Sequence, residues 1–155
     1  MKKTILLAED VRDDVVAFTR VLRSAGILNP IAEVCTGVET IAYLNGDPPF
    51  ADPQKYPFPS VLFLDLLMPN GDGWEVLRWL KNNPAKSNVL VIVLTGVAQR
   101  HNLREAYLAG ANSFLVKPFN ATEMDSLVST WPHVWELRPN DPRVPPRPED
   151  KPNRL

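Results

Sequence analysis

The sequence predicts an α/β fold in which a five-stranded parallel sheet is covered by helices on both faces. Short continuous apolar runs, of the kind that form strands buried on both faces, recur along the chain. Stretches with apolar residues at helical spacing separate these runs, and this alternation is typical of parallel strands joined by helices. The predicted strands are Ile5–Ala8, Ile31–Cys35, the run from Val61 to Asp65, Val89–Leu94 and Ser113–Val116.

The predicted helices follow the strands and have recognisable ends. In the first, apolar residues share one face and a glycine provides a C-terminal stop. In the second, Ile41, Ala42 and Leu44 are expected to face inward. The last begins with a capping box made by Asn120 and Glu123. The helices are predicted at Asp13–Ala25, Val38–Leu44, around Trp74–Leu80 and ending at Pro84, Asn102–Ala109, and from Asn120 onward.

Length and composition favour a single soluble cytoplasmic domain. The chain has 155 residues, of which 45% are hydrophobic and 23% charged, an ordinary globular balance. A net charge of -1 gives no electrostatic reason to expect binding to nucleic acid or to a membrane surface. The apolar runs are too short for a secretory signal or a bilayer span. Cys35, the only cysteine, excludes an internal disulfide and is expected to be a small buried hydrophobe.

Most of the 16 prolines fall into two segments. Five of them lie between Asn45 and Pro59, where they exclude helix interior and central strand and predict a long ordered loop. From Arg138 the chain consists largely of prolines and charged residues with almost nothing apolar, which predicts a disordered or extended tail. The expected organisation is one domain over residues 1–137 and a proline-rich charged tail over residues 138–155.

Polar residues that could act together follow four of the five predicted strands. Glu9 and Asp10 end the first strand, Asp65 the third, Thr95 the fourth and Lys117 the fifth. The carboxyl ends of parallel strands lie along one edge of an open sheet, and ligands bind there. Three carboxylates at that edge repel one another unless a hard divalent cation such as magnesium joins them. A lysine and a threonine beside them add a positive charge and a donor, which suits phosphoryl transfer onto an aspartate.

Each of these residues also has an ordinary interpretation. An aspartate after a strand usually forms a turn, and a lysine before a proline is usually solvated. Their joint occurrence, with one group at each strand end, favours a site. Two alternatives fit less well: a haloacid-dehalogenase-type phosphatase needs a second aspartate where Leu67 stands, and a dinucleotide-binding fold needs a glycine-rich turn after the first strand.

Four pieces of the chain together carry a family resemblance. They are Glu9-Asp10, the stretch from Asp65 to Gly73 (Asp-Leu-Leu-Met-Pro-Asn-Gly-Asp-Gly), Thr95-Gly96, and the stretch from Phe114 to Pro118 (Phe-Leu-Val-Lys-Pro). Over about residues 1–137 the chain resembles the receiver domain of two-component response regulators. The long loop before the central strand resembles more particularly the small single-domain receivers that partner bacterial phytochrome histidine kinases. The resemblance implies a flavodoxin-like, doubly wound sheet and a signalling protein rather than a turnover enzyme.

The resemblance also implies how the phosphoryl group and the metal would be bound. Asp65 would accept a phosphoryl group from a phosphohistidine of the sensor kinase. Asp10 and Asp65 would bind Mg²⁺ directly, together with the carbonyl group of Leu67. Glu9 would act on the metal through water.

Two further residues are implied in holding and sensing the phosphoryl group. Thr95 and Lys117 would contact phosphoryl oxygens. Phe114 would change rotamer when Thr95 moves toward the phosphoryl group. The alternative is that Phe114 is a core or half-buried strand aromatic with no switching role. The competing functional hypothesis is a constitutive protein-interaction module whose acidic site is vestigial.

The C-terminal region predicts a homodimer. A terminal helix can bury only one face in its own core, and a further apolar group follows that helix. We call this group the tryptophan cluster; it consists of Trp131, Val134, Trp135 and Leu137. Left exposed, it would form an apolar patch of the kind that marks an interface. The alternative is that Pro132 bends the chain and the tryptophans fold back beneath the proline-rich loop.

Overall fold

The computed structural model describes residues 3–70, 72–96 and 102–144, and it confirms the predicted α/β fold. Five parallel strands form one sheet in the order β2-β1-β3-β4-β5. The strands are β1 (Ile5–Ala8), β2 (Ile31–Val34), β3 (Val61–Asp65), β4 (Leu90–Thr95) and β5 (Ser113–Val116). The helices are α1 (Arg12–Ser24), α2 (Gly37–Asn45), α3 (Gly73–Asn82), α4 (Leu103–Leu108) and α5 (Ala121–Thr130), with short 3-10 helices at Pro84–Lys86 and Pro132–Val134.

Helices cover both faces of the sheet, as the apolar strands require. In the central strand β3, Phe63 belongs to the core shared with α1 and α5, and Leu64 belongs to the core shared with α2 and α3. Each fully buried side chain of this kind contributes about 1.5–3 kcal/mol relative to exposure. Because all five strands are parallel, their carboxyl ends lie along one edge of the sheet. Among the described residues, no helix combines the length and apolar character needed to cross a lipid bilayer.

The expectation that Cys35 is buried is wrong. The edge strand β2 ends at Val34, one residue earlier than predicted, and Cys35 is exposed. Successive residues of a strand point in opposite directions, so the burial of Val34 turns the next residue outward. The chain then enters α2, where the Thr36 side chain accepts a hydrogen bond from the Glu39 N–H at 3.0 Å.

The inward face of α2 also differs from the prediction. Leu44 is buried and the half-buried Ile41 packs against the same core, as expected, whereas Ala42 is half-buried and is not part of that core. Tyr43, which was not expected to face inward, is buried. The helix begins one residue earlier and ends one residue later than predicted, and the loop that follows it decides which side is covered.

Tyr43 is the residue that holds the long proline-rich loop in place. Its hydroxyl donates to the Pro57 carbonyl at 3.0 Å, and its ring packs against the rings of Phe50 and Tyr56. Burial, with the neighbouring Tyr56, raises the pKa of Tyr43 to about 12, so the hydroxyl keeps its proton at neutral pH. The loop is therefore ordered by an aromatic contact that the proline count does not reveal.

The tryptophan cluster does not form an exposed patch, so that prediction is wrong. Val134 and Trp135 are buried, and the other two members pack against the same core. The Trp135 ring centroid lies 6.1 Å from that of Phe63, and its indole N–H donates to the Leu127 carbonyl at 3.3 Å. The 3-10 helix at Pro132–Val134 bends the chain as the alternative supposed, but the cluster folds onto the sheet rather than beneath the proline-rich loop.

The chain after this bend lies against the ends of α1 and α5. The side-chain oxygen of the buried Asn29 accepts a hydrogen bond from the Glu136 N–H at 2.7 Å. The Arg143 guanidinium donates to the Ala25 carbonyl after α1 and pairs with Asp125 on α5. Residues 138–144 are thus attached to the rest of the domain by specific contacts.

Candidate functional site

Three of the predicted carboxylates meet at the carboxyl edge of the sheet. Glu9 and Asp10 follow β1, Asp65 is the last residue of β3, and carboxylate oxygens of all three lie within 4.8 Å of one another. Glu9 and Asp65 are buried, whereas Asp10 is exposed. Hard oxygen donors in this number suit a divalent cation such as Mg²⁺, which usually binds one or two carboxylates and keeps several waters. The exposed side of the group leaves room for that water.

Lys117 lies in the middle of these carboxylates. Its ammonium nitrogen is 2.7 Å from Glu9 and 2.9 Å from Asp14. It is 3.2 Å from the Asp65 carboxylate. Only 23% of the Lys117 side chain is exposed, so the solvated position that is ordinary for a lysine before proline does not apply here. The Lys117 N–H donates to the Thr95 carbonyl at 2.8 Å, which fixes the backbone from which the side chain reaches across the sheet.

Asp14 is the site residue that sequence reasoning missed. It lies in the first turn of α1. A negative residue in a first turn is ordinarily explained by the helix dipole, so its type alone gave no reason to place it in a site. Its position could have indicated the contact, because α1 begins only four residues after β1 ends and its first turn therefore faces the same edge of the sheet.

Burial and neighbouring charges shift the pKa values of Glu9 and Lys117. Burial raises the pKa of Glu9 to about 7, against the hydrogen bond from Lys117 and with the help of the Asp65 charge. Burial lowers the pKa of Lys117, but hydrogen bonds to Glu9 and Asp14 and the charge of Asp65 outweigh it, so that pKa is raised. Lys117 therefore stays charged at neutral pH, while Glu9 exchanges a proton near neutrality.

Backbone contacts hold Asp65 in position. The Leu67 N–H donates to Asp65 Oδ1 at 2.9 Å. The Gly73 N–H at the start of α3 donates to the Leu66 carbonyl at 3.1 Å. The Asp72 side chain caps the same helix. The turn after β3 is thereby tied to α3, and the backbone of Leu67 lies beside the Asp65 carboxylate.

We expect Gly73→Ala to destabilise the protein and to displace Asp65. A Cβ atom at Gly73 would lie 2.5 Å from the Asp65 carbonyl oxygen and 2.7 Å from the Leu66 Cα, both backbone atoms. Overpacking costs about 1–3 kcal/mol, and we expect it to exceed the ~1 kcal/mol that alanine gains over glycine in a helix. Urea unfolding measures the free energy of unfolding, and calorimetry measures Mg²⁺ affinity. A variant with wild-type values of both would contradict the prediction.

The two predicted switch residues lie on neighbouring strands. Thr95 ends β4 and is fully buried, and its hydroxyl donates to the Gly96 carbonyl at 3.1 Å. Phe114 lies in β5 and is half-buried. Its ring makes a T-shaped contact with the ring of Tyr107 on α4, with the two centroids 6.0 Å apart. β4 and β5 are paired from Ile92 to Thr95, so both residues belong to one hydrogen-bonded strand pair.

We expect Asp10→Ala to weaken Mg²⁺ binding more than Glu9→Ala. The Glu9 carboxylate is already engaged by Lys117 and by the Val11 N–H at 3.2 Å, which suits an indirect role. Loss of such an indirect partner costs about tenfold in metal affinity, and loss of a direct ligand costs more. Calorimetric titration measures both, and Asp13→Ala, an exposed acid in the same first turn, controls for the loss of one negative charge. Equal losses in the two site variants would contradict the assignment.

A doubly wound parallel sheet with an acidic metal site at its carboxyl edge, and a lysine beside the central aspartate, defines the receiver class of signalling protein. The chain belongs to the response regulator receiver domain family, whose model matches residues 5–129. Members of this family are typically phosphorylated on an aspartate with Mg²⁺. The resemblance inferred from the strand-end residues is thereby confirmed.

Relatives of known structure are small response regulators. The chain is 29% identical over 133 residues to response regulator Rcp1 of Synechocystis sp., covering 86% of this chain and 88% of Rcp1. The crystal structure of Mn²⁺-bound Rcp1 matches with a TM-score of 0.71 at 28% identity, over 88% of this chain and 99% of that one. Response regulator RPA3017, in red light signaling of R. palustris, matches at 34% identity with a TM-score of 0.76, over 88% and 98% of the two chains.

A third similar structure is that of the phosphorylated cyanobacterial phytochrome response regulator RcpA. It is 26% identical and has a TM-score of 0.70, over 87% of this chain and 94% of that one. These three proteins are single-domain response regulators, which are signalling proteins. The similarity extends over most of both chains in every case.

Proposed function

We propose that this chain is a single-domain response regulator that accepts a phosphoryl group on Asp65 from a sensor histidine kinase, with Mg²⁺ as its cofactor. The observation that carries the proposal is the position of Asp65. It ends the central strand, shares the edge of the sheet with Glu9 and Asp10, and faces the Lys117 ammonium at 3.2 Å. Within the domain, Thr95 is the hydroxyl at the neighbouring strand end.

In this reaction a phosphoryl group moves from a histidine nitrogen of the kinase to a carboxylate oxygen of Asp65. An Asp65 carboxylate oxygen forms a bond to phosphorus as the phosphorus–nitrogen bond of the kinase phosphohistidine breaks. The imidazole nitrogen keeps the electron pair of the broken bond and later takes a proton. Lys117 would donate to a phosphoryl oxygen, and the chemistry that Mg²⁺ would supply when bound is neutralisation of negative charge. Asp10, Asp65 and the Leu67 carbonyl would hold the ion, and Glu9 would act through water.

The conformational response starts at Thr95. Its hydroxyl now donates to the Gly96 carbonyl. A phosphoryl oxygen is a stronger, charged acceptor, so the hydroxyl would turn toward it. Phe114 on the paired strand β5 is the residue we propose to change rotamer in response, which would alter the surface that Tyr107 and Phe114 share. The protein switches partner binding in this scheme and does not turn over a substrate.

The partner we propose is a phytochrome-type histidine kinase. The support is the similarity to RcpA, a phytochrome response regulator, and to RPA3017, a response regulator in red light signaling. The net charge of -1 favours neither nucleic acid nor a membrane surface as a partner, and a cytoplasmic location fits this scheme. We further propose that residues 1–137 form the receiver domain and that 138–155 form a tail, of which residues 138–144 contact α1 and α5.

Magnesium-dependent labelling by acetyl phosphate tests the proposed function. We expect one phosphoryl group per chain in the presence of Mg²⁺ and none when the metal is chelated. Absence of labelling in both conditions, with the fold intact, would instead favour a constitutive interaction module with a vestigial acidic site. Equal labelling with and without Mg²⁺ would contradict the proposed role of Asp10.

Homodimerisation through the C-terminal helix stays a prediction, but the exposed patch that suggested it is absent from the described structure. Val134 and Trp135 are part of the core, so replacing Trp135 with a charged residue would unfold the protein rather than report on an interface. Sedimentation of the unaltered chain, with and without acetyl phosphate, is therefore the appropriate measurement. A monomer at high concentration in both states would contradict dimerisation.

A further inference from the structure

The Lys117 ammonium group has three N–H donors, and three carboxylates lie around it. Glu9 accepts at 2.7 Å, Asp14 at 2.9 Å and Asp65 at 3.2 Å. The two shortest hydrogen bonds go to the segment formed by the end of β1 and the first turn of α1. The longest goes to the residue that would be phosphorylated. Each donor of the ammonium is thus directed by a different carboxylate.

Asp14 differs from its neighbours in having no part in the acidic metal group. That group consists of Glu9, Asp10 and Asp65 among the residues that the structure describes. Glu9 belongs to that group, and its carboxylate also accepts the Val11 N–H at 3.2 Å, so it is shared between the lysine and other partners. Asp14 is 36% exposed, and among the described residues its side chain accepts its hydrogen bond from Lys117. A hydrogen bond between an ammonium and a carboxylate is among the strong ones in proteins.

We propose that Asp14 is a positioning residue of the phosphoryl-acceptor site. Together with Glu9 it fixes two of the three Lys117 donors, so that the third points at Asp65 and at an oxygen of the incoming phosphoryl group. The inference rests on the proposed phosphorylation of Asp65. Without Asp14 the long lysine side chain can rotate, and its ammonium spends less time in the orientation that the transfer needs.

The test measures the rate of phosphorylation by acetyl phosphate and Mg²⁺. In this reaction Asp65 forms its bond to phosphorus as the bond to the acetate oxygen breaks, and acetate leaves with the electron pair. We expect Asp14→Ala to slow the reaction about tenfold, as the loss of one orienting hydrogen bond would. Asp14→Asn keeps an acceptor oxygen and should stay within about threefold of wild type. Asp13→Ala is the matched control, since it removes an exposed carboxylate one residue away.

A double-mutant cycle separates positioning from general structural damage. If Asp14 acts through Lys117, then Asp14→Ala adds no further loss of rate in a Lys117→Ala background. The same cycle measured by thermal unfolding of the metal-free protein should show coupling between the two residues, and Mg²⁺ affinity should not change in Asp14→Ala. This second set of measurements does not depend on phosphorylation.

Three results would overturn the inference. The first is a rate for Asp14→Ala equal to wild type, which would mean that Asp14 does not contribute, or faster than wild type, which would mean that its charge repels the phosphoryl group. The second is an equal loss in Asp14→Asn and Asp14→Ala, and the third is an undiminished effect in the Lys117→Ala background. A wild-type protein that takes no phosphoryl group would instead contradict the proposed function, and the unfolding cycle would still decide whether Asp14 orients Lys117.

Discussion

Replacing Asp65 with asparagine is expected to abolish phosphorylation by acetyl phosphate and Mg²⁺. The asparagine side chain has nearly the same shape and can still accept the Leu67 N–H through its oxygen, as Oδ1 of Asp65 does at 2.9 Å. Its amide group lacks the ionised oxygen that forms the acyl phosphate. Mass spectrometry of the intact chain should therefore show one added phosphoryl group in wild type and none in the variant.

Two comparisons make this result specific to Asp65. Asp13→Asn removes an exposed carboxylate of α1 and should leave labelling unchanged. Circular dichroism should show that Asp65→Asn retains the fold, since the change removes one of three mutually repelling carboxylates. Labelling of Asp65→Asn at the wild-type level would mean that a different residue accepts the phosphoryl group.

Replacing Lys117 with alanine is expected to destabilise the metal-free protein by about 3 kcal/mol. The side chain lies among carboxylates that are themselves buried: 1% of the Glu9 side chain and 8% of the Asp65 side chain are exposed. Removing the ammonium leaves those charges without a partner, and breaking a buried pair costs far more than removing a surface lysine. Mg²⁺ should restore more stability to this variant than to wild type, because the ion replaces the missing positive charge.

The loss of stability in Lys117→Ala should increase as the pH rises. The folded-state pKa of Glu9 is about 7, above its ordinary value of 4.5. A carboxyl group whose pKa is raised by folding stabilises the folded state at low pH. This contribution to the free energy of unfolding is lost as the pH rises through the pKa of the folded state. Removal of Lys117 raises that pKa further, so the destabilisation should be larger at about pH 8 than at about pH 5.5.

Urea unfolding at both pH values, with and without Mg²⁺, measures these effects. Lys81→Ala removes an exposed lysine of α3 and should change the free energy of unfolding by less than about 1 kcal/mol. A Lys117→Ala variant that matches this control at both pH values would show that the carboxylates tolerate one another without the ammonium.

Local patterns predicted the fold and most of the site. Continuous apolar runs located β1, β3 and β4, because a strand buried on both faces has no polar positions to interrupt it. The shorter apolar stretches of the less buried strands β2 and β5 were located by their place between predicted helices. The edge of a parallel sheet collects the residues that follow its strands, so the sequence placed Glu9, Asp10 and Asp65 on one edge, and the pairing of β1 with β3 brings them together. The roles of all these site residues, including Thr95, Lys117, Phe114 and the Leu67 carbonyl, remain predictions.

Other features depended on contacts that no local pattern encodes. Cys35 is exposed because it follows the buried Val34 on the edge strand, and which of two successive residues faces the core is decided by how β2 pairs with β1. Trp135 is buried because the chain bends after α5 and leaves room beside Phe63. Amphipathic spacing describes one helix at a time and carries no information on what covers a face after a bend.

The sequence by itself determined the doubly wound sheet and the set of acidic residues at its edge, because apolar runs and their alternation with helical spacing are local properties. Only the tertiary structure decided how those residues are charged and oriented. Lys117 is 52 positions from Asp65 and 103 from Asp14, yet its ammonium bonds to both. Which carboxylate holds the lysine depends on the angle between α1 and the sheet. That angle is set by packing across the whole core, where each side chain must fit its neighbours.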